Sequence, residues 1–312
     1  MGYCAGWPHI PGGQSLMSTK PKTPLTVIGG YLGSGKTTLV NHLLRNADGK
    51  RLAILVNEFG ELQIDADLIE AQDDDVISLA GGCVCCSYGN DLIMAMMDMS
   101  KMGPCPDHII LEASGVALPA AIAGSVSLLN DFAVDGIVVL ADAETIRNRY
   151  NDKYMGDTVS RQLSDADMVL LNKTDLVSTE DCQTIHAWLS DVTSQTPIIE
   201  TSRCAIPAAV LLQDFGRSDI APATQDAHQT NNFQTTLRVP DGPVDPNDYA
   251  IQLLKEIPGL VRAKGFVTST DGSSKTIQLV GQRIEITPAP ADATTGVVTI
   301  SVCQASSKPD GE

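Results

Sequence analysis

The sequence predicts a doubly wound, mostly parallel α/β domain that is followed by a small α+β domain. Short runs of leucine and β-branched residues recur up to about residue 215, and segments with a helical spacing of apolar residues separate them. Continuous apolar runs are typical of strands that are buried on both faces of a parallel sheet. The intervening segments are long enough for the crossover helices that parallel strands require.

Seven apolar runs are the predicted strands of the first domain. They are LTVIG (25–29), LAILVN (52–57), VISLA (76–80), HIILE (108–112), GIVVLAD (136–142), MVLLN (168–172) and PIIET (197–201). Predicted crossover helices include KTTLVNHLLRNA after the first run and EDCQTIHAWLSDV before the last. In the second domain, a strand, a helix and three strands are predicted from FQTTLRV, DYAIQLLKEI, LVRAKGFVT, KTIQLVG and GVVTISV.

The composition divides the chain into five parts. We expect a disordered leader (1–22), a first domain (23–215), a linker (216–231), a small C-terminal domain (232–303) and a polar tail (304–312). The leader and the linker are rich in small and polar residues and poor in large apolar ones, which is typical of segments without a core of their own. Met17 is an alternative start of the chain.

The charge and cysteine content exclude several classes of protein. With 38 acidic residues against 21 basic ones, the formal net charge is -17. This balance argues against nucleic acid and anionic membranes as partners, because both need a basic surface. No apolar run approaches the roughly 20 residues that cross a bilayer, and no secretory signal is evident. The eight cysteines show no disulfide framework, so we expect a cytoplasmic protein.

A phosphate-binding loop is predicted between the first strand and the first helix. GYLGSGKT (30–37) fits the P-loop pattern G-x-x-x-x-G-K-[ST] in the strand-to-helix context that this motif requires. Lys36 would reach the β- and γ-phosphates, and the Thr37 hydroxyl would bind Mg²⁺. The predicted nucleotide-binding residues of this motif are Gly30, Gly33, Ser34, Gly35, Lys36, Thr37 and Thr38.

The base of the nucleotide is predicted to be guanine. The strand MVLLN runs into NKTD (172–175). The Asp175 carboxylate can accept from the N1–H and the exocyclic amine of guanine, whereas adenine offers no such pair of donors. Asn172 can bond the other edge of the purine, and the stem of Lys173 can cover the ring. GTP is therefore favoured over ATP.

Acidic residues follow two further strands. Glu112 ends the strand in HIILEASG (108–115), where a carboxylate can hold Mg²⁺ through water, and Gly115 can approach the γ-phosphate by its backbone. VNEFGE (56–61) places Glu58 and Glu61 where a first switch would lie. Lys36, Thr37 and Glu112 are the predicted catalytic residues, with Glu58 as a candidate.

Three cysteines are crowded into GGCVCC, which follows the third predicted strand. Ligands bind beyond the carboxyl ends of the strands of an open parallel sheet, so this loop and the motifs above share one edge. Cys83, Cys85 and Cys86 could bind a metal as thiolates, with an acid or water completing the site. Cys83 and Cys86 could instead form a redox pair, or all three could be buried free thiols.

With these motifs in this order, the chain resembles the CobW-like metal-chaperone GTPases over about residues 24 to 303. RAKGFV (262–267) is similar to the start of the C-terminal sheet of that family. The resemblance implies GTP hydrolysis coupled to delivery of a transition metal, Zn²⁺ or Co²⁺, to a client protein. It also implies a possible nucleotide-dependent homodimer, and a metal site made by Cys83, Cys85 and Cys86, with Glu61 close to it.

Two other functions stay open beside the metallochaperone. One is a metal-sensing regulatory GTPase that uses the small domain to bind a partner. The other is a redox-controlled GTPase in which Cys83 and Cys86 form a disulfide. A single histidine in the linker, His228, replaces the His-rich stretch found in many zinc-trafficking members of the family.

Replacing Asp175 with asparagine should shift the nucleotide preference from GTP toward XTP. Xanthine carries a carbonyl in place of the exocyclic amine of guanine, and an amide can donate to it where a carboxylate cannot. Competition binding of GTP and XTP to the purified variant measures this shift. Unchanged GTP affinity would mean that another residue reads the base.

Overall fold

The computed structural model describes residues 22–47, 49–56, 76–79, 90–101, 103–212, 233–289 and 293–302. Its first sheet has seven strands, all paired in parallel in the order β3-β2-β4-β1-β5-β6-β7. They are β1 (Thr23–Gly30), β2 (Leu52–Val56), β3 (Val76–Leu79), β4 (His108–Glu112), β5 (Phe132–Asp142), β6 (Met168–Asn172) and β7 (Ile198–Glu200). All seven correspond to the predicted runs, and the predicted fold class is confirmed.

Helices cover both faces of this sheet. They are α1 (Lys36–Arg45), α2 (Asn90–Lys101), α3 (Pro119–Val126), α4 (Ile146–Tyr150), α5 (Gly156–Ser164), α6 (Thr179–Val192) and α7 (Ala209–Leu212). Side chains alternate between the faces of a strand, so Val27 enters a core shared with α2 to α6, and Ile28 enters a second core shared with α1 and α7. Burial on both faces explains why the strands are continuous apolar runs.

A second, antiparallel sheet has the order β11-β10-β9-β12-β8. Its strands are β8 (Phe233–Arg238), β9 (Leu260–Thr268), β10 (Ser274–Val280), β11 (Arg283–Pro288) and β12 (Gly296–Val302), with α8 (Pro246–Glu256) after β8. Asp245 caps α8, because its Oδ1 accepts from the backbone N–H groups of Asn247 and Asp248 at 2.9 and 3.0 Å.

The sequence analysis missed β11. This strand lies at the edge of the second sheet and is only partly buried, and no continuous apolar run marks it in the sequence. Its signal is an alternation, since Ile284 and Ile286 pack on the core beneath α8. Apart from Lys22, the predicted leader, linker and tail lie outside the described residues, and the division into domains stays a prediction. No helix in the described ranges is long and apolar enough to cross a membrane.

The second sheet packs against the face of the first sheet that carries α1. Val261, Val280 and Ile300 belong to the same core as Ile28 and the buried side chains of α1. The two sheets therefore share one apolar core.

A buried ion pair also joins the two sheets. Asp135 on β5 and Arg262 on β9 are 1% and 2% exposed and bond to each other. Gln278 Nε2 donates to Asp135 Oδ1 at 2.5 Å, and Arg262 Nη1 donates to the Val210 carbonyl at 3.3 Å. Burial by itself raises the pKa of Asp135, but the Arg262 guanidinium and other nearby cations hold it below its ordinary value. The carboxylate is thus kept ionised within the interface.

His108 begins β4 close to this pair and is fully buried, with its Nε2 2.9 Å from Thr26 Oγ1. Burial lowers the pKa of His108 from 6.5 to about 4. A neutral imidazole is therefore part of the folded state, whereas the unfolded chain binds a proton there at higher pH.

Acid should destabilise the fold through His108 as the pH falls from 6.5 to about 4. Above pH 6.5 the neutral imidazole contributes its full stabilisation to the folded state. This stabilisation, on the order of 3 kcal/mol, is lost as the pH falls through about 4. Urea unfolding over this range should show a shallower pH dependence for His108→Gln than for the wild-type chain. If the free energy of unfolding fell equally with pH in both proteins, His108 would not be the group that binds the proton on unfolding.

Candidate functional site

The loop that joins β1 to α1 has the backbone of a phosphate-binding loop. Gly30, Gly33 and Gly35 have positive φ angles of 128°, 74° and 108°. At Gly35 a side chain is also excluded by space, because a Cβ there would lie 2.5 Å from Asn172 Nδ2. A loop of this kind before a helix N-terminus is suited to binding phosphate.

Lys36 lies against this loop and is only 8% exposed. Its Nζ donates to the carbonyls of Gly30 at 3.0 Å and Tyr31 at 3.4 Å. The ammonium is therefore held beside the groups that are predicted to bind the phosphates. Ser34 is buried within the loop and Thr38 is exposed on α1, and their contacts with nucleotide stay predictions.

Glu112 at the end of β4 contacts Thr37 in the first turn of α1. In the β1–β4 register Ile28 pairs with Glu112. This brings Glu112 Oε1 within 2.9 Å of Thr37 Oγ1, which donates to it. A hydroxyl and a carboxylate are the oxygen ligands that Mg²⁺ prefers, directly or through water. The two residues therefore fit the predicted magnesium site.

Asn172 ties the end of β6 to the phosphate-binding loop. It is 2% exposed, and its Nδ2 donates to the Ser34 carbonyl at 2.9 Å. Its Oδ1 accepts from the Cys204 N–H at 3.1 Å. The side chain thus aligns three loops with one another, and its predicted contact with the purine stays a prediction.

Lys173 and Asp175 follow on the same loop. Lys173 has a positive φ of 63°, and its Nζ lies 2.7 Å from Asp142 Oδ2 at the end of β5. The other oxygen of Asp142 accepts from the Glu144 N–H at 3.0 Å. Asp142 was not among the predicted site residues, although the run GIVVLAD ends in it at the same edge of the sheet. The Asp175 carboxylate is exposed.

Cys204 contacts the phosphate-binding loop and was not among the predicted site residues. Arg203 and Cys204 both have a positive φ, of 52° and 56°. The Cys204 thiol donates to the Gly35 carbonyl at 3.4 Å, and burial raises its pKa to about 12. Cys204 is therefore a neutral packing thiol that fixes its loop beneath the phosphate-binding loop.

Gly115 is buried against the other side of the phosphate-binding loop, where a Cβ would lie 2.5 Å from Leu32 Cδ2. Five predicted site residues lie outside the described ranges, namely Glu58, Glu61, Cys83, Cys85 and Cys86. The strands before them, β2 and β3, end at Val56 and Leu79 on the same edge as β1 and β4.

Comparison with known proteins identifies relatives of this chain. Residues 24–200 match the CobW/HypB/UreG nucleotide-binding domain. The zinc chaperone CobW of Sinorhizobium sp is 32% identical over 308 residues, which cover 85% of this chain and 87% of that protein. The zinc-regulated GTPase metalloprotein activator 1 of Schizosaccharomyces pombe is 33% identical over 198 residues, 59% of this chain and 47% of that protein. The chain thus spans most of one relative and about half of the other.

Solved structures include similar chains. The Zn(II)-bound YjiA GTPase from E. coli has a TM-score of 0.45 and 23% sequence identity, with 91% of this chain and 95% of that chain covered. The hydrogenase maturation factor HypB from Archaeoglobus fulgidus has a TM-score of 0.37 and 20% identity, with 58% and 81% covered.

Replacing Asp142 with asparagine should weaken GDP and IDP binding by a similar factor, about 5-fold, because a partly exposed charged hydrogen bond contributes roughly 1 kcal/mol. The amide can still accept from Glu144 but loses the charge that holds Lys173. Titrations with fluorescent GDP and IDP measure both affinities. Asp175→Asn is the matched control, because it should change the ratio of the two affinities instead. An altered ratio in Asp142→Asn, or no change at all, would contradict this role.

Proposed function

This chain belongs to the CobW/HypB/UreG family of nucleotide-binding domains, and we propose on this premise that it is a GTP-hydrolysing metallochaperone. GTPase activity follows from the family membership. We also propose that it binds a transition metal at the cysteine loop and delivers this metal to a client protein.

The Thr37–Glu112 contact is the observation that carries the hydrolytic part of the proposal. It joins Thr37, the last residue of the phosphate-binding motif, to the acid at the end of β4 at 2.9 Å. Mg²⁺ bound there would neutralise charge on the β- and γ-phosphates. Lys36, already held at the loop, would stabilise the negative charge that develops on the γ-phosphate. Asp175 would select guanine from the far end of the site.

The metal part rests on where the cysteine loop begins. GGCVCC starts two residues after the end of β3, which is the edge strand beside β2, and β4 is the next strand after β2. At about 4.8 Å per strand, the end of β3 lies roughly 10 Å from that of β4 and 14 Å from that of β1. A metal held by Cys83, Cys85 and Cys86, with Glu61, would therefore be close to the γ-phosphate. Glu58 would lie on the switch between them.

Zn²⁺ is the first cargo that we propose, because relatives are named zinc chaperones, and Co²⁺ is the alternative. Thiolate ligands suit both ions. The partner would be an apo-metalloprotein or a metal-inserting enzyme, with a homodimer as the nucleotide-dependent assembly and the cytoplasm as the compartment.

GTP with Mg²⁺ should tighten metal binding at the cysteine loop, and hydrolysis should loosen it. Coupling between two sites is typically 5- to 150-fold in affinity and is reciprocal, so metal should tighten GTP binding by the same factor. Competition titrations with Zn²⁺ and Co²⁺ would be made with GDP, with a non-hydrolysable GTP analogue and without nucleotide. Lys36→Ala is the control, because it should bind metal but not release it through hydrolysis.

Equal metal affinity in all three nucleotide states would refute the chaperone mechanism, even if the cysteines bind metal. Cys83→Ser, Cys85→Ser and Cys86→Ser should each weaken the metal site. If reduced protein binds no metal and Cys83 and Cys86 oxidise reversibly, the redox-controlled GTPase is supported instead. Transfer of metal to an apo-client separates delivery from sensing.

A further inference from the structure

A buried glutamine on α5 holds the loop that follows Glu112. Gln162 is 1% exposed. Its Nε2 donates to the Gly115 carbonyl at 3.1 Å and to the Ala117 carbonyl at 2.8 Å. A primary amide has two N–H groups, so one side chain can satisfy both carbonyls. Without this donor, both carbonyls would lose a hydrogen bond, and the loss is costly above all at the Gly115 carbonyl, whose contact is buried.

The held segment is a tight turn. The Ala117 N–H donates to the Ser114 carbonyl at 3.0 Å, which places Gly115 and Val116 at the two central positions. The Ala113 N–H donates to the Ile28 carbonyl at 2.9 Å, so the residue after Glu112 is fixed to β1. The turn thus leads directly from the residue that fits Mg²⁺ to the residue predicted to meet the γ-phosphate.

This turn is enclosed between the phosphate-binding loop and α5. A Cβ on Gly115 would lie 2.8 Å from the Leu32 backbone nitrogen, so no other residue fits there without displacing the loop. On its other side Leu32 is held by Arg149, which donates to the Leu32 carbonyl and lies over the Tyr31 ring at 4.9 Å. Gln162 of α5 holds the same turn through the carbonyls of Gly115 and Ala117.

The support is itself rigid. Val159 and Leu163 of α5 are both 1% exposed and pack in the core between the sheet and α2 to α6. Four residues after α5 ends at Ser164, β6 begins, and β6 ends at Asn172. A displacement of the turn by a γ-phosphate would therefore act on the helix that leads into the guanine-binding loop.

We propose that Gln162 is a positioning residue for GTP hydrolysis, which holds the Ser114–Ala117 turn where it meets the γ-phosphate. The inference rests on the proposed GTPase function and is independent of the metal. Gln162 touches the turn and not the nucleotide, so it acts through the Gly115 backbone. Loss of Gln162 should therefore weaken the binding of GTP and not that of GDP, because GDP lacks the γ-phosphate that would reach the turn.

Gln162→Met removes both donors while keeping an unbranched side chain of similar volume. We expect its GDP affinity to stay within about 2-fold of the wild-type value. Its affinity for guanosine 5′-(β,γ-imido)triphosphate and its kcat should fall roughly 5- to 150-fold, because the γ-phosphate must then order a turn that the two lost hydrogen bonds had held in place. Gln162→Glu keeps the shape but turns an acceptor toward the two carbonyls. Its loss should therefore exceed that of Gln162→Met, whereas a purely space-filling role would make Gln162→Glu the milder variant.

Val159→Ala is the matched control, because it truncates a core side chain of α5 and leaves Gln162 in place. It should lower thermal stability without changing the ratio of analogue to GDP affinity. Retained analogue affinity and kcat in Gln162→Met, equal losses of GDP and analogue binding, or a milder Gln162→Glu would each overturn the inference. Absence of GTP hydrolysis by the wild-type chain would instead overturn the proposed function, and this inference with it.

Discussion

Every group that we assign to the nucleotide site depends on one constraint, which is that the parallel sheet is covered on both faces. α2 to α6 bury one face, and α1, α7 and the second sheet bury the other, so the strand ends are where a ligand can approach the sheet. The first sheet orders β4, β1, β5 and β6 side by side. The contacts Thr37–Glu112, Ser34–Asn172 and Asp142–Lys173 all join loops at the carboxyl ends of these neighbouring strands.

The side chains that hold these loops are themselves buried, which makes the site preorganised. Gln162, Asn172, Glu112 and Asp142 are between 1% and 4% exposed. Each bonds to backbone or to another side chain of the site. A buried polar bond is costly to break, because the freed group has no water to replace its partner. The described loops are thus held in place by their own supports.

The second sheet is linked mechanically to the nucleotide site. Leu39 and Leu43 of α1 lie in the same core as Val261 and Val280 of the second sheet. Close-packed cores transmit displacement, because they contain few voids that could absorb it. The Asp135–Arg262 pair adds a directional contact whose loss would leave a buried charge without a partner. A displacement of α1, the helix that follows the phosphate-binding loop, would therefore be transmitted to the second sheet.

The parallel strands, the phosphate-binding motif and NKTD could all be predicted from the sequence, because each is encoded within a few adjacent residues. A strand buried on both faces must be continuously apolar, and a motif at its end needs no knowledge of distant contacts. The sequence analysis did not identify β11, because this strand is only partly buried and no continuous apolar run marks it. The contacts of Asp142, Gln162 and Arg262 could be seen only in the folded chain. Their partners are 31, 45 to 47 and 127 residues away, and only the folded chain brings such groups together.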